Sequence, residues 1–485
     1  MAYFPLFKEP GWQPLGKDSV NYFYLSFGFL VAEQAFEFYL AYRQRKYLNK
    51  PDLPKELLEQ AQSVDSKTLP VAAPKAEDMS REEKPESDVK GRKPFTQQLK
   101  DKFYNSRSYN LDKNMFSFIS GSYGVVMTVG ALLGGLQPYF WHHSTQLSMY
   151  LGLGSSEMAV SAVFLFLNSI FDTIVGIPVG LYSTFVLEEK HGFNKMTMKL
   201  YWTDKIKGFL ISNAMSIPLM LGIVKLVRWG GNHFYLYVWT LLLAFSLVML
   251  TVYPNFIMPL FNKYEPLEDG ELRTEINKLA DSLNYPLKKL YLVDGSKRSS
   301  HSNAYLYGFW KDKRIVLFDT LIKNEKEPEL ECTTKEVVGI LGHELGHWKM
   351  SHTVQGFVLQ NLLSLAALKG FGNFVSSPDM YSSFGLKSQP VVIGLTLFFY
   401  IISPIGAVLG LALNSMTRKF EFEADAFAVK LGKSEELKSG LLKISIGNLA
   451  SFNVDPLYHT FHNSHPTLVQ RLRQIDVESA NKKVE

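Results

Sequence analysis

Two imidazoles four positions apart, with a carboxylate beside the first, stand at His343-Glu344-Leu345-Gly346-His347. On a helix this spacing sets both rings on one face, where together they can hold one Zn²⁺. Glu344 lies somewhat under a third of a turn away, beside the metal, where it can take a proton from an activated water. Peptide hydrolysis needs both parts: a strong nucleophile at neutral pH and a base for its proton. By composition such a pattern arises by chance in about one chain in a hundred, so the surroundings must decide.

A catalytic zinc takes three protein ligands and keeps one position for water. The candidate third ligand lies in the helical run Arg418–Ala428. Glu421 and Asp425 are four apart on one face, and Glu423 points elsewhere. Glu421 reads as the ligand and Asp425 as a carboxylate behind it that orients a ligand imidazole. Acidic runs are usually solvated faces. Here Phe420, Phe422 and Phe427 stand among the acids, which argues that one face is buried. Buried acids need a partner, and zinc is one. His352, five residues past His347, falls off the ligand face and is left out of the set.

The elements that must hold these groups are mostly greasy. A spanning helix needs about 20 largely apolar residues. Seven stretches qualify: 20–42, 115–139, 159–187, 206–228, 234–258, 352–375 and 391–415. Glu33, Glu37, Asn168, Asp172 and Asn361 fall inside them and are expected to face a protein interior or a water-filled chamber. The loops alternate in charge. Arg43, Arg45 and Lys46 follow the first span, and Lys190, Lys195, Lys199 and Lys205 follow the third. The block 259–351 is rich in Lys and Arg, while 140–158 has no Lys or Arg and 376–390 has only Lys387. By the positive-inside rule the N-terminus is lumenal and the C-terminus cytosolic. The domain reading is therefore 1–258 with five spans, 259–351 as a cytosolic α+β segment, 352–415 with two spans, and 416–485 as a cytosolic helical segment. Residues 50–95, rich in Pro, Glu, Lys and Ser, read as a mostly disordered cytosolic loop. Within 259–351, Glu268–Leu283 reads as a helix and Lys289–Asp294 as a strand. Asn303–Trp310 and Arg314–Asp319 read as a hairpin, and the metal-binding helix starts at about Thr334.

Of 485 residues, 35 are Phe and 24 Tyr, as expected of helices with interfacial aromatic belts. The net charge of +5 is read through loop topology; no basic stripe interleaved with aromatics points to nucleic acid. One cysteine, Cys332, excludes an intrachain disulfide, and there is no N-x-[ST] sequon. The ending Lys482-Lys483-Val484-Glu485 reads either as a dilysine retrieval signal for the endoplasmic reticulum or as a solvated tail that happens to carry two lysines.

Four motifs together resemble the integral-membrane CAAX prenyl proteases, zinc metalloproteases of multi-span α-helical fold. They are Gly295–Tyr305, Gly342–Trp348 with His352 and Thr353, Phe420–Ala428, and Ser464-His465-Pro466 with Arg471. The resemblance implies one Zn²⁺ held by His343, His347 and Glu421, with Glu344 as general base and later proton donor. It implies that Asn303 clamps the substrate backbone and that His465 stabilises the oxyanion. Arg471 resembles a positive group suited to a substrate carboxylate or to ordering the site. Pro466 suits a first helical turn, placing His465 at a helix start. The resemblance further implies an all-α membrane fold of about seven transmembrane helices enclosing a chamber, with a small cytosolic α+β zinc-protease domain. The implied reaction is release of a C-terminal tripeptide from prenylated CAAX proteins at the membrane. The segment Arg314–Asp319 could pair with a bound peptide by strand addition. Two rivals remain: a membrane quality-control protease with no prenyl requirement, and a channel or scaffold with a structural zinc. Glu344 argues against the second, since a structural site needs no base.

Overall fold

Seven long helices occupy the seven apolar stretches of this computed structural model, which describes residues 4–16, 18–68, 93–308, 312–323 and 327–482. They are α1 (Tyr22–Leu48), α3 (Phe95–Gly134), α5 (Glu157–Tyr182), α6 (Met198–Trp229), α7 (Phe234–Val252), α11 (His352–Phe371) and α13 (Val391–Lys430). Between them come α2 (Lys55–Thr68), α4 (Leu136–Tyr150), α8 (Glu271–Ser282), α9 (Asp319–Ile322), α10 (Thr334–Lys349) and α12 (Pro378–Ser383). After α13 come α14 (Ser434–Gly447), α15 (Pro456–His462) and α16 (Leu468–Lys482). Among the described residues five helices, those that contain α3, α5, α6, α7 and α13, are long and apolar enough to cross a membrane, and α1 and α11, expected as spans, fall short of that measure. The protein is a multi-pass membrane protein. Of the polar residues in α1, Glu37 meets another part of the protein, with Oε2 3.1 Å from His462 Nε2.

The apolar helices meet in a core that includes Phe23, Val224, Val238, Phe371, Leu397 and Phe398. A cavity of about 610 Å³ lies among them, lined by residues of α3, α5, α6, α7, α11 and α13. Asn168 and Asp172 face it, as expected of a chamber, and Asn361 is not among its lining residues. Its α13 wall runs from Val392 to Tyr400. Tyr400 is 21 residues from Glu421, about 31 Å of helical rise, so this cavity does not reach the candidate metal ligands.

Three local expectations change. The stretch 115–139 breaks at Gly135, whose φ is +77°. A Cβ there would run into the Phe7 carbonyl oxygen, so the chain turns at this glycine and 136–150 becomes a helix of its own. The reading of 50–95 as a structureless loop fails at 55–68. That segment is helical because Leu57, Ala61 and Val64 fall on one face and pack with Phe95 and Leu99. Residues 69–92 lie outside the described residues, as do Lys483, Val484 and Glu485 of the dilysine ending.

The protease segment carries a four-stranded sheet of β1 (Tyr264–Pro266), β2 (Leu287–Val293), β3 (Ala304–Tyr307) and β4 (Lys313–Phe318) in the order β1-β2-β4-β3. The expected hairpin is present, with β3 antiparallel to β4, and its Trp310 and Lys311 lie outside the described residues. The segment expected to receive a peptide, Arg314–Asp319, is not available. β4 is paired on both sides, parallel to β2 and antiparallel to β3, which leaves β1 and β3 as the edge strands. Ile315 and Leu317 of β4 pack with Val337, Leu341 and Leu345 of α10. A capping box starts α10: Thr333 Oγ1 accepts from Glu336 N, and Glu336 Oε2 accepts from Thr333 N at 2.8 Å. The same Glu336 carboxylate is buried against Lys443 of α14 at 2.5 Å, which fastens the helix start to the C-terminal segment.

Candidate metal centre and active site

Two helices make the centre, and a glycine sets their distance. A Cβ on Gly346 of α10 would lie 3.1 Å from Ala424 Cα and 3.1 Å from Phe427 Cβ of α13, so any side chain here would press the two helices apart by a few tenths of an ångström. Gly342, one turn back, has ordinary room, with a Cβ 3.6 Å from Ala428 Cβ. At this spacing His343, His347 and Glu421 turn into the same gap.

The geometry fits a metal. One donor atom from each of the three lies within 4.8 Å of the others. His343 Nε2 is 3.2 Å from His347 Nε2, and His347 Nε2 is 3.3 Å from Glu421 Oε1. Their outer nitrogens are engaged elsewhere. His343 Nδ1 lies 2.8 Å from Asp425 Oδ1, where it donates its proton. Two imidazole lone pairs and a carboxylate oxygen thus converge on one gap, the donor set of a catalytic zinc site. Asp425 thus lies behind the His343 ring, on the side away from the gap. Arg471 of α16 holds Asp425 with Nε at 2.9 Å and Nη2 at 2.6 Å, and its Nη1 lies 3.5 Å from Glu421 Oε2. Arg471 thus touches both Asp425 and Glu421.

Glu344 sits on α10 beside the ligands. Burial pushes its pKa up, against the pull of His343 and His347. His465 is largely exposed, with Nδ1 2.9 Å from Glu421 Oε2. That carboxylate pushes the imidazole pKa up. Its position differs from the expected helix start: α16 begins at Leu468, with Thr467 Oγ1 accepting from Gln470 N. His465 therefore lies in a bend just before the helix. Its segment is held by residues that sequence reasoning passes over. His459 Nε2 lies 3.1 Å from the His465 carbonyl, Asn414 Nδ2 donates to Phe461 O, and Arg418 donates to Thr460 O and Asn463 O. Such side-chain-to-carbonyl bonds leave no periodic trace in a sequence.

Asn303 is exposed at the entry to β3, with Ala304 N donating to the Asn303 Oδ1 at 2.8 Å. The loop before it is tied to the membrane half. Lys195 N donates to Arg298 O, Ser300 N donates to Phe193 O, and the Arg298 guanidinium grips Asp204. Helical spacing sets His352 aside; the structure brings it in, with Nδ1 3.0 Å from His347 Nδ1 and Nε2 3.0 Å from Glu423 Oε2. An ideal helix would carry position 352 away from the ligand face. The helix ends at Lys349 and restarts at His352, and the break carries no glycine or proline to announce it.

Residues 92–263 match a family model described as CAAX prenyl protease N-terminal, five membrane helices, and residues 266–479 match peptidase family M48. The CAAX prenyl protease 1 homolog of Arabidopsis thaliana is 41% identical over 452 residues, covering 93% of this chain and 96% of that protein. The CAAX prenyl protease 1 homolog of Homo sapiens is 41% identical over 406 residues, 77% of this chain and 86% of that one. A crystal structure of S. mikatae Ste24p matches with a TM-score of 0.82 at 33% identity, covering 94% of this chain and 100% of that chain. With two helices bringing His343, His347 and Glu421 together in that same fold, the chain belongs to the CAAX prenyl proteases, membrane metalloproteases carrying the M48 peptidase domain.

Proposed function

We propose that this protein is a membrane zinc endopeptidase that releases the C-terminal tripeptide from prenylated CAAX proteins. The observation that carries the reading is the convergence of His343 Nε2, His347 Nε2 and a Glu421 oxygen, with Glu344 alongside. One zinc ion per chain, when bound, supplies a Lewis acid that polarises the scissile carbonyl and acidifies water. Glu344 takes the proton of the attacking water onto its carboxylate and passes it to the leaving amine nitrogen. Its raised pKa suits a group that must hold that proton between the two steps. His465, with its pKa also raised, is suited to donate to the oxygen on which negative charge develops. Arg471 and Asp425 keep the His343 ring fixed throughout. Asn303 opens the free-edged strand β3, whose backbone can take an extended peptide by strand addition while the Asn303 amide clamps it.

Loop charges support an active site on the cytosolic side, where prenylated proteins are made available, and a lumenal N-terminus. Membrane lipid is then both the solvent of the helices and the medium that delivers the lipid-modified substrate. The test is hydrolysis of a prenylated against an unprenylated CAAX peptide by the purified protein. Burial of a prenyl chain contributes about 0.8 kcal/mol per methylene, so kcat/KM should be at least about tenfold higher for the prenylated peptide. Equal rates would point to a protease without a prenyl requirement.

A further inference from the structure

The joint between α10 and α11 is strained. Ser351 adopts φ +60° and ψ +30°, left-handed backbone that a residue with a side chain seldom takes. Strain of this kind persists where the surroundings over-determine it. Its effect is to fold the first residue of α11 back over the metal-binding helix. That residue, His352, is 4% exposed, and its ring lies on Phe420 of α13 with centroids 4.1 Å apart and planes 6° from parallel.

The proton positions around His352 are set by its partners. Glu423 Oε2, 3.0 Å from Nε2, is an acceptor, so Nε2 carries the hydrogen. In the neutral ring Nδ1 is then an acceptor, and His347 Nδ1 must donate to it across 3.0 Å. This leaves the lone pair of His347 on Nε2, aimed at the gap. The opposite assignment would place a hydrogen on His347 Nε2, pointing at His343 Nε2 3.2 Å away and closing the gap to a cation.

We infer that His352 and Glu423 are positioning residues of the metal centre: through the strained turn at Ser351 they fix the tautomer and ring plane of His347. Asp425 and Arg471 do the same for His343. α13 thus acts on both imidazoles, on His343 directly through Asp425 and on His347 through Glu423 and His352. The inference rests on the zinc reading above, and its test separates the two.

The full chain is purified in detergent and stripped of metal. Zinc affinity is then measured by competition with a chromophoric chelator, and the d–d absorption of the cobalt-loaded protein is recorded. His352→Phe keeps the stack on Phe420 and removes the acceptor. His352→Asn removes most of the ring and keeps an oxygen near the place of Nδ1. Zinc should bind about 10–100-fold more weakly to the Phe variant, with an altered cobalt spectrum, and within about threefold of the unchanged protein to the Asn variant. Glu423→Ala should weaken zinc about three- to tenfold alone and add little on top of His352→Phe, since the two act through one chain of bonds. A Phe variant that binds zinc as tightly as the unchanged protein, or an Asn variant that loses as much as the Phe one, overturns the inference. Should both position-352 variants fail to fold, Glu423→Ala decides. Its side chain is 37% exposed and dispensable for packing, and unchanged zinc affinity there overturns the proposal. An unchanged protein that fails to bind zinc at all would instead count against the metal reading.

Discussion

The two ends of α13 handle burial by opposite means. At one end Val391, Val392, Ile393, Leu397 and Phe398 are buried against other apolar side chains. At the other end Glu421 and Asp425 are just as buried, and each is held by a guanidinium or imidazole at a specific distance. Apolar burial depends on volume and tolerates swaps that preserve it. Charged burial depends on each partner being present, because an orphaned ion in the interior is expensive. One helix therefore joins a forgiving half to an unforgiving one, and the chemistry sits in the unforgiving half.

Substitutions at and around the two ends should separate these regimes. The largest effect belongs to Glu344→Gln. It should leave zinc content at the unchanged level and cut hydrolysis about 10³–10⁴-fold, measured by metal analysis and peptide turnover on the same sample. Near-normal turnover with zinc retained would sink the mechanism, whereas His343→Ala, His347→Ala and Glu421→Ala should lose the metal itself. Next comes Arg471→Met, which keeps the bulk and strips Asp425 of its cation. We expect about 3–5 kcal/mol of destabilisation, read as a fall in thermal unfolding temperature in detergent, together with weaker zinc binding. The apolar end should respond differently. Leu397→Ala should cost about 2–4 kcal/mol and Leu397→Met under about 1.5 kcal/mol, with activity per folded molecule unchanged in both. If Leu397→Met proved as damaging as Arg471→Met, the contrast between the ends would collapse. The smallest change tests the crossing of α10 and α13. Gly342→Ala has room and should stabilise by about 0.5–1 kcal/mol, since a helix interior prefers alanine. Gly346→Ala must push Ala424 away, so its activity should fall further than its stability does.

How much of the molecule is legible in its sequence depends on the reach of each signal. His343, His347, Glu421 and Asp425 are legible because i, i+4 spacing on a helix survives in the one-dimensional order of residues. The seven apolar stretches are legible for the same reason, and each is helical. The identity of the edge strand is not, because β2 and β4 pair in parallel across an intervening strand and nothing local marks that β4 lies inside the sheet. The pairing of His352 with Glu423 joins residues 71 apart and depends on a turn at Ser351 whose residue type hides its conformation. The helix at 55–68 is masked by its charged composition; its few apolar residues matter because other helices supply the opposing surface. Arg471 is legible as a residue of interest, and its grip on Asp425 only as a contact between two helices.

The unbroken length of α13 has a consequence of another kind. Forty residues of helix rise about 60 Å, roughly twice the thickness of a bilayer's hydrocarbon layer. The third metal ligand comes six residues after the apolar stretch 391–415, about 9 Å further along the axis. The helix is then a ruler, with the cutting edge at a set height above the oil. A tethered tail presents its cleavable bond at a height set by its own anchor, each extended residue adding about 3.3 Å. At about 9 Å, that height matches a bond two or three extended residues from its lipid. The ruler's calibration is stepped, because one inserted residue would also swing Glu421 about 100° around the axis, and only near-whole turns could reset the height.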